Sequence, residues 1–337
     1  MNILFDIGHP AHVHLFKNFI FYLKNNNQNV TTVSRAKDVT TTLLDYYGID
    51  HKILSSHRGG FYGHFNELII RDKKLIKLHH ENRFSLAFGT SVSIAHLTFL
   101  KGIKSYNFHE DDDAVVPLQS ILIYPFTSKI INPDCLKTRG WVKKRVFYPS
   151  YHELAYLHPN NFTPDPHIPG LYELDIGNYV IVRLSSLNAH HDKKKKGISN
   201  IFYEKIRNIL SGFDVIESAE SSQTHNFKPW HMHDLIAHAK LVISDSQTTT
   251  AEAAVLGVPS IRCNSFVGSI SYLEELENKY ELTYGFKPND EDAIINKINQ
   301  LLSDITMLDK WKKRREIMLS EKIDFNDWMI NYFNSLK

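Results

Sequence analysis

Short apolar runs alternate with amphipathic stretches of helical length along most of this 337-residue chain. In the first half the pattern predicts strands over 2–7, 30–34, 84–88 and 104–108, and helices over 15–24, 37–47 and 91–100. Strands that alternate with helices usually form a parallel sheet covered on both faces. The first half is therefore predicted to be an α/β domain that binds ligands at the carboxyl ends of its strands.

A proline-rich segment interrupts this alternation. Five prolines lie between residues 148 and 169, which disfavours regular structure and indicates an interdomain connection. A second alternation follows, with strands predicted over 179–183, 214–217 and 241–244 and helices over 200–211 and 232–239. The pattern thus predicts two domains, over 1–160 and 171–318.

The segment LVISDSQTTTAEAAVLGVPSIR, residues 241–262, reads as strand, polar turn, helix and strand. Backbone N–H groups at such a helix start favour a diphosphate, and neighbouring side chains can add to them: Ser246, Gln247, Thr248 and Thr249. Glu252 lies one turn beyond Thr248 on the same helix face, where a ribose diol would meet it. The alternative is an ordinary βαβ unit with a solvated Glu252.

This segment resembles the nucleotide-sugar half of GT-B glycosyltransferases and of UDP-N-acetylglucosamine 2-epimerases. Together with ILFDIGHPAHVHLFKN, FHEDDDAVV and FVGSISYLEELE, it also resembles the bacterial and archaeal DUF354 family over most of the chain. The resemblance implies a GT-B-like fold, in which two Rossmann-like, doubly wound parallel-sheet domains face a central cleft. It also implies that a final helical segment, residues 319–337, packs back on the first domain.

The stretch GHPAHVH follows the first predicted strand, so His9, His12 and His14 are expected on a loop. The stretch resembles the GGHV-type loop of lipid-acceptor N-acetylglucosaminyltransferases, with His12 in the matching place. By that resemblance His12 is the candidate general base, His9 the second candidate, and His14 a candidate contact to sugar or acceptor. Pro10 and Ala11 replace the glycine pair, which disfavours a lipid diphosphate acceptor. Capping or packing is the alternative role for each histidine.

The acidic stretch His109–Asp113 follows the strand predicted over 104–108. Glu110 and Asp112 are alternative candidates for the base or for binding acceptor hydroxyls, whereas a solvated turn or helix start is the structural alternative. Alternating aspartates also suggest a divalent metal. The GT-B resemblance instead implies that helix N-termini and basic side chains neutralise the leaving diphosphate, so no metal or other cofactor is expected.

Three further candidates follow from position in the second domain. Arg183 and Ser185 end a predicted strand, where an arginine can hold two phosphate oxygens. Ser269 or Ser271 is a candidate contact to the sugar. The cluster Lys193–Lys196 is either a solvated loop or a site that attracts an anionic donor or anionic lipid headgroups.

Composition narrows the class of protein. The 39 basic and 37 acidic residues give a net charge of +2, which disfavours sequence-independent nucleic-acid binding. Cys135 and Cys263 lack metal or disulfide spacing, and both are predicted to be buried thiols. The start MNILFDIGHP lacks signal-peptide features and no long apolar run occurs, so we expect a cytoplasmic protein, with peripheral contact at the inner face of the membrane as an alternative.

Three functions remain open at this stage. The first is a glycosyltransferase that moves a sugar from a nucleotide-sugar donor to a glycan or lipid-linked acceptor in surface polysaccharide biosynthesis; it is expected to invert the anomeric centre and to need no metal. The second is a nucleotide-sugar enzyme of the 2-epimerase kind, which needs acid and base carboxylates. The third is a binding protein that keeps the fold without turnover.

Overall fold

The computed structural model describes residues 1–56, 60–184, 197–219 and 227–336. The chain divides into two units. The first comprises Met1–Tyr156 and Asp324–Lys337, and the second comprises Leu157–Ile323. The chain therefore passes from the first unit into the second and returns.

Seven parallel strands form the sheet of the first unit: β1 (Asn2–Ile7), β2 (Asn29–Ala36), β3 (His51–Ser56), β4 (Leu86–Gly89), β5 (Lys104–Phe108), β6 (Lys129–Pro133) and β7 (Arg145–Tyr148). Their order is β3-β2-β1-β4-β5-β6-β7. The predictions for β1 and β5 are confirmed to the residue. The chain moves outward in one direction from β1 and in the other from β4, so right-handed crossovers place the two sets of helices on opposite faces.

The helices of this unit are α1 (Pro10–Asn25), α2 (Thr40–Tyr46), α3 (Phe61–Asn82), α4 (Val92–Lys101), α5 (Pro117–Ile123) and α12 (Phe325–Asn334). α1 packs against α2 and α12, whereas α3 packs against α4 and α4 against α5. Neighbouring side chains of β1 alternate between these two layers. Phe5 stacks on Phe88 in a ring cluster that includes Phe333 of α12, and Leu4 joins the core beneath α3 and α4.

The start of α1 corrects the sequence prediction. The helix begins at Pro10 rather than near residue 15, because His9 caps it by accepting a hydrogen bond from Ala11 N (3.3 Å) and Pro10 suits the first helical position. His12 and His14 therefore lie on a helix and not on a loop. α3 and β3 fall in a part of the sequence for which no element was predicted.

Five parallel strands form the second sheet, in the order β12-β11-β10-β8-β9: β8 (Tyr179–Leu184), β9 (Asp214–Ala219), β10 (Leu241–Ser244), β11 (Ser260–Cys263) and β12 (Thr283–Phe286). Its helices are α6 (Asn200–Ile209), α7 (Met232–Ala237), α8 (Gln247–Leu256), α9 (Ser271–Asn278), α10 (Glu291–Ser303) and α11 (Met307–Glu321). The predicted architecture of two parallel-sheet α/β units is confirmed. No helix within the described ranges has the length and apolar character needed to cross a bilayer.

Candidate functional site

A cavity of about 890 Å³ opens in the first unit beside the carboxyl ends of its strands. Its walls include residues that follow β1, β4 and β5, together with side chains of α3 and α5. The polar lining carries most of the candidate chemistry: His9, His12, Arg35, Glu67, Thr90, Ser91, His109, Glu110, Asp111 and His152. Carboxyl ends of parallel strands are where open α/β sheets bind ligands.

His12 lines this cavity from the first turn of α1. Its Nδ1 lies 3.1 Å from the hydroxyl of Thr90, which follows β4. Burial, followed by the nearby His9 and His152, lowers the pKa of His12 well below its usual value of 6.5. The imidazole is therefore neutral at pH 7, the form that can accept a proton.

Two further buried imidazoles, His109 and His152, line the same cavity. Burial lowers the pKa of His109 and of His152 to about 3 in each case. The Nε2 atoms of both rings have no hydrogen-bond partner within the described residues, although Nδ1 of His152 lies 3.0 Å from Oε2 of Glu110. Several neutral histidines therefore line the cavity. Of these, His109 and His152 were not predicted as site residues from the sequence.

The acidic stretch divides into two pairs with different surroundings. Glu110 and Asp111 line the cavity, and burial raises the pKa of Asp111. Asp112 does not line the cavity; it is buried and accepts a hydrogen bond from Lys137 N at 2.7 Å. Asp113 is also buried, and it accepts from Tyr124 Oη at 2.8 Å. The solvated turn is therefore wrong for Asp112 and Asp113, and Asp111 enters the site in place of Asp112.

Asp113 also forms a buried ion pair with Arg145 of β7, at 2.5 Å. Arg145 in addition donates to Asn132 Oδ1 (2.7 Å) and to Gly140 O (3.0 Å). This network ties the segment after β5 to β6 and β7. Because Asp113 and Arg145 are 32 residues apart, no local pattern in the sequence indicates the pair.

Ion pairs also underlie the α3 side of the cavity. Arg71 pairs with Asp6 at the end of β1, and Ser91 Oγ donates to the same carboxylate at 2.5 Å. Arg35 holds Glu67 through two hydrogen bonds of 2.7 and 2.6 Å. Although burial acts to raise it, these hydrogen bonds lower the pKa of Glu67. Both carboxylates are therefore occupied by arginines, which fixes α3 against β1 and β2.

His14 is not part of this cavity. Its ring is buried and packs against Tyr47 and Tyr156, at centroid distances of 5.9 and 5.3 Å. The predicted contact to sugar or acceptor is therefore replaced by packing. The reason is helical: His12 and His14 are two residues apart on α1, so their side chains point in different directions.

The start of α8 is the candidate nucleotide site of the second unit. Ser246 caps the helix, with its Oγ 3.5 Å from Thr249 N, and its own N–H donates to Ser244 Oγ at 3.0 Å. Gln247 and Thr248 are partly exposed, whereas Thr249 is buried. The hydroxyl of Ser246 is thus used for capping, and Gln247 and Thr248 are the accessible side chains at this helix start.

Glu252 is buried in the middle of α8 rather than solvated. Its Oε1 lies 2.9 Å from Nε2 of His233 on α7, and the His233 ring packs edge-on against Phe162. No local pattern in the sequence indicates this partner, because His233 and Glu252 are 19 residues apart. A variant of Glu252 must therefore be judged on stability as well as on ligand binding.

The remaining candidates differ in exposure and in hydrogen bonding. Arg183 of β8 pairs in register with Ser244 of β10, beside the start of α8. Its Nη1 donates to Ser218 Oγ at 2.9 Å. Its buried Nε has no hydrogen-bond partner among the residues that the structure describes. Ser269 is exposed, whereas Ser271 is buried at the start of α9. Ser185 and Lys193–Lys196 lie outside the described residues.

Cys263 is a buried thiol, whereas Cys135 is half-buried, which corrects the prediction for Cys135. Burial raises the pKa of Cys263 to about 12, so this thiol is unreactive at neutral pH. The part of the chain that the structure describes contains no group of three or more His, Cys, Asp or Glu side chains placed to hold a metal ion.

This chain is similar to known proteins in its three-dimensional structure. A scan against protein-family models and a search of curated proteins found no match, so the resemblance to the DUF354 family stays a prediction. Among solved structures, S. aureus MnaA with UDP is 11% identical over 100% of this chain and 97% of its own, with a TM-score of 0.71.

Two further structures match the whole chain. UDP-GlcNAc 2-epimerase from Neisseria meningitidis, bound to UDP-GlcNAc, is 12% identical with a TM-score of 0.65 over 100% of both chains. The spinosyn forosaminyltransferase SpnP is 11% identical with a TM-score of 0.67 over 100% of this chain and 99% of its own. This chain therefore has the GT-B-like fold that UDP-GlcNAc 2-epimerases and glycosyltransferases share.

Proposed function

We propose that this protein is a glycosyltransferase that uses a nucleotide-sugar donor. The observation that carries the proposal is the position of the His12 imidazole, beside the Thr90 hydroxyl in a cavity lined by hydroxyl, carboxylate and imidazole groups. An acceptor hydroxyl bound there would lose its proton to His12 as its oxygen attacks the anomeric carbon, and the nucleoside diphosphate would leave.

The donor is assigned to the start of α8 in the second unit. Free N–H groups of a helix start attract phosphate, and the partly exposed Gln247 and Thr248 add polar side chains there. Arg183 lies in register beside this helix start and can neutralise charge on the departing diphosphate. Nucleotide binding is supported by neighbours whose structures contain UDP or UDP-GlcNAc.

Thr90 would hold His12 in the orientation needed for proton transfer, since its hydroxyl lies within hydrogen-bond distance of the ring. Glu110 and Asp111 would bind further hydroxyls of the acceptor. Direct displacement at the anomeric carbon would invert its configuration. A role in surface polysaccharide biosynthesis is part of the same proposal.

A specific observation favours a 2-epimerase-like enzyme as the second candidate. Two carboxylates, Glu110 and Asp111, line the same cavity as the histidines, and the raised pKa of Asp111 favours its protonated form, which can donate a proton. Epimerisation at carbon requires a C–H proton to be removed and another to be returned on the opposite face. The cavity therefore offers the residue types for either reaction.

Turnover of UDP-, GDP- and CMP-sugars in D2O without acceptor distinguishes the candidates. A transferase is expected to hydrolyse its donor slowly to free sugar and the nucleoside diphosphate, or CMP where the donor is a CMP-sugar, with no deuterium on carbon. A new sugar nucleotide that carries deuterium on carbon would instead identify an epimerase and overturn the proposal.

Isothermal titration with UDP, GDP and CMP provides the second measurement. Binding of one nucleotide that the corresponding nucleoside does not reproduce is expected, because the phosphate groups of the nucleotide are assigned to the start of α8. Absence of binding to all three, together with absence of hydrolysis, would reject both enzymatic functions and leave a binding protein for another ligand.

A further inference from the structure

The exposed lining of the first-unit cavity includes large apolar side chains next to His64, whereas buried polar side chains line its inner part. Phe65 of α3 and Leu118 of α5 both line the cavity, and both are mostly exposed. His109 and His152, by contrast, line it from buried positions. A ligand that fits this lining carries polar groups at the end that lies inside the cavity and apolar groups at the outer end.

Further exposed apolar side chains lie on α3, α4 and α5, which pack side by side, α3 on α4 and α4 on α5. We call this surface the apolar face; its exposed members are Tyr62, Phe65, Ile69, Phe99, Leu100, Leu118 and Ile121. On α3 the first three are spaced three and four residues apart and so share one stripe. Phe99 of α4 reaches towards α5, since its ring lies 5.2 Å from that of Phe126. Exposed apolar clusters of this kind usually mark an interaction site.

The charges beside the apolar face are mainly positive. Lys73 and Lys77 follow Ile69 on the same stripe of α3 at four-residue steps, and Lys101 directly follows Leu100. Across the described side chains of α3, α4 and α5, the exposed charged residues are four lysines and one carboxylate, Glu81. α5 carries no charged residue, so the apolar side chains nearest the mouth are not interrupted by charge.

We propose that the apolar face docks on an anionic lipid bilayer, so that a membrane-borne acceptor reaches the cavity from its mouth. Aromatic and aliphatic side chains flanked by lysines are the combination that enters the headgroup region of anionic membranes. A second copy of this chain would bring its own lysines against these lysines, whereas an anionic bilayer complements their charge. Docking on the bilayer does not depend on the proposed function, whereas the inference that the acceptor is membrane-borne rests on that function.

Flotation of the full chain with vesicles tests the docking. Vesicles of phosphatidylcholine with about 30 mol % phosphatidylglycerol are compared with vesicles of phosphatidylcholine alone. We expect binding to the anionic vesicles only. Replacing Lys73 and Lys77 together by Gln should weaken it about 25-fold, since each lysine near an anionic surface contributes about 5-fold.

A matched pair of variants separates the apolar face from apolar exposure in general. Ile121 on α5 is 67% exposed and Ile201 on α6 of the second unit is 78% exposed. Ile121→Ser should weaken vesicle binding about 10-fold, whereas Ile201→Ser should leave it unchanged. Both positions are exposed, so neither substitution is expected to disturb folding.

Three results would overturn the docking: no flotation of the wild type, equal binding to both vesicle types, or equal effects of I121S and I201S. A dimer in sedimentation velocity that I121S dissociates, without vesicle binding, would assign the face to a second copy instead. Titration of UDP, GDP and CMP into the same proteins reads out the proposed function separately. Vesicle binding without nucleotide binding would reject that function and retain the docking.

Discussion

Removal of the Asp113 carboxylate should destabilise the first unit, because this group is structural and not catalytic. Asp113→Ala leaves Arg145 without its ionic partner and Tyr124 Oη without its acceptor, both in a buried setting. Breaking a buried pair on one side costs about 3–5 kcal/mol. Arg145 keeps two neutral acceptors, Asn132 Oδ1 and Gly140 O, so we expect about 3 kcal/mol.

The two units can unfold in separate transitions, so the measurement must follow the first unit alone. Hydrogen exchange of peptides from β6 and β7 provides this, since Arg145 begins β7 and Asn132 lies in β6. Replacing both partners, with Asp113→Leu and Arg145→Met in one chain, should restore part of the loss because no buried charge is left unpaired.

Asp111→Asn is the internal control for the acidic stretch. Burial raises the pKa of Asp111 in the folded protein, so its ionised form opposes folding. Neutralising it should leave stability at pH 7 unchanged or slightly higher. If Asp113→Ala stays within about 1 kcal/mol of the wild type, or if Asp111→Asn is the more damaging change, the division of the stretch into structural and cavity pairs is wrong.

Three other outcomes are expected. His12→Gln should lower turnover about 10²–10⁴-fold with unchanged nucleotide affinity. His9→Ala removes a helix cap and a ring that lines the cavity but leaves the proposed base in place, so it should cost far less turnover; the reverse order would move the base to His9. Glu252→Ala should weaken UDP binding by about 1–3 kcal/mol in calorimetry and lower stability by a similar amount; unchanged affinity would remove it from the nucleotide site. Burial lowers the pKa of His109 to about 3, so the unfolded protein binds a proton at this residue at a higher pH than the folded protein does. Stability present above pH 6.5 should therefore be lost as the pH falls towards 3. In acid denaturation, His109→Phe should reduce this loss, whereas a variant of the exposed His80 should not.

Local sequence signals predicted the elements whose ends are set by nearby residues. α8 runs between its cap Ser246 and Gly257, whose φ of 77° suits glycine, and β5 was predicted to the residue. The start of α1 carries the same kind of local signal, since His9 caps the helix and Pro10 is its first residue. The resemblance to a GGHV-type loop nevertheless predicted a loop at this position. The error shows that a cap and a proline outweigh a resemblance to another family's loop.

Contacts between distant residues could not be predicted in this way. Asp6 and Arg71 are 65 residues apart, and Glu252 meets His233 across two helices. A carboxylate on a strand end or a helix reads as solvated until its partner is placed by the fold. The roles of Asp113 and Glu252 therefore depended on tertiary structure, while the positions of His12 and of the start of α8 depended mainly on local pattern.

The return of the chain into the first unit has a consequence for biosynthesis. Phe333 of α12 contacts Phe19 and Phe88, so one wall of the first core is supplied by residues that follow the entire second unit in sequence. A ribosome must translate residues 157–323 before this wall exists. The second unit can thus complete its own core first, and the amino-terminal unit, although it emerges earliest, is the last to close.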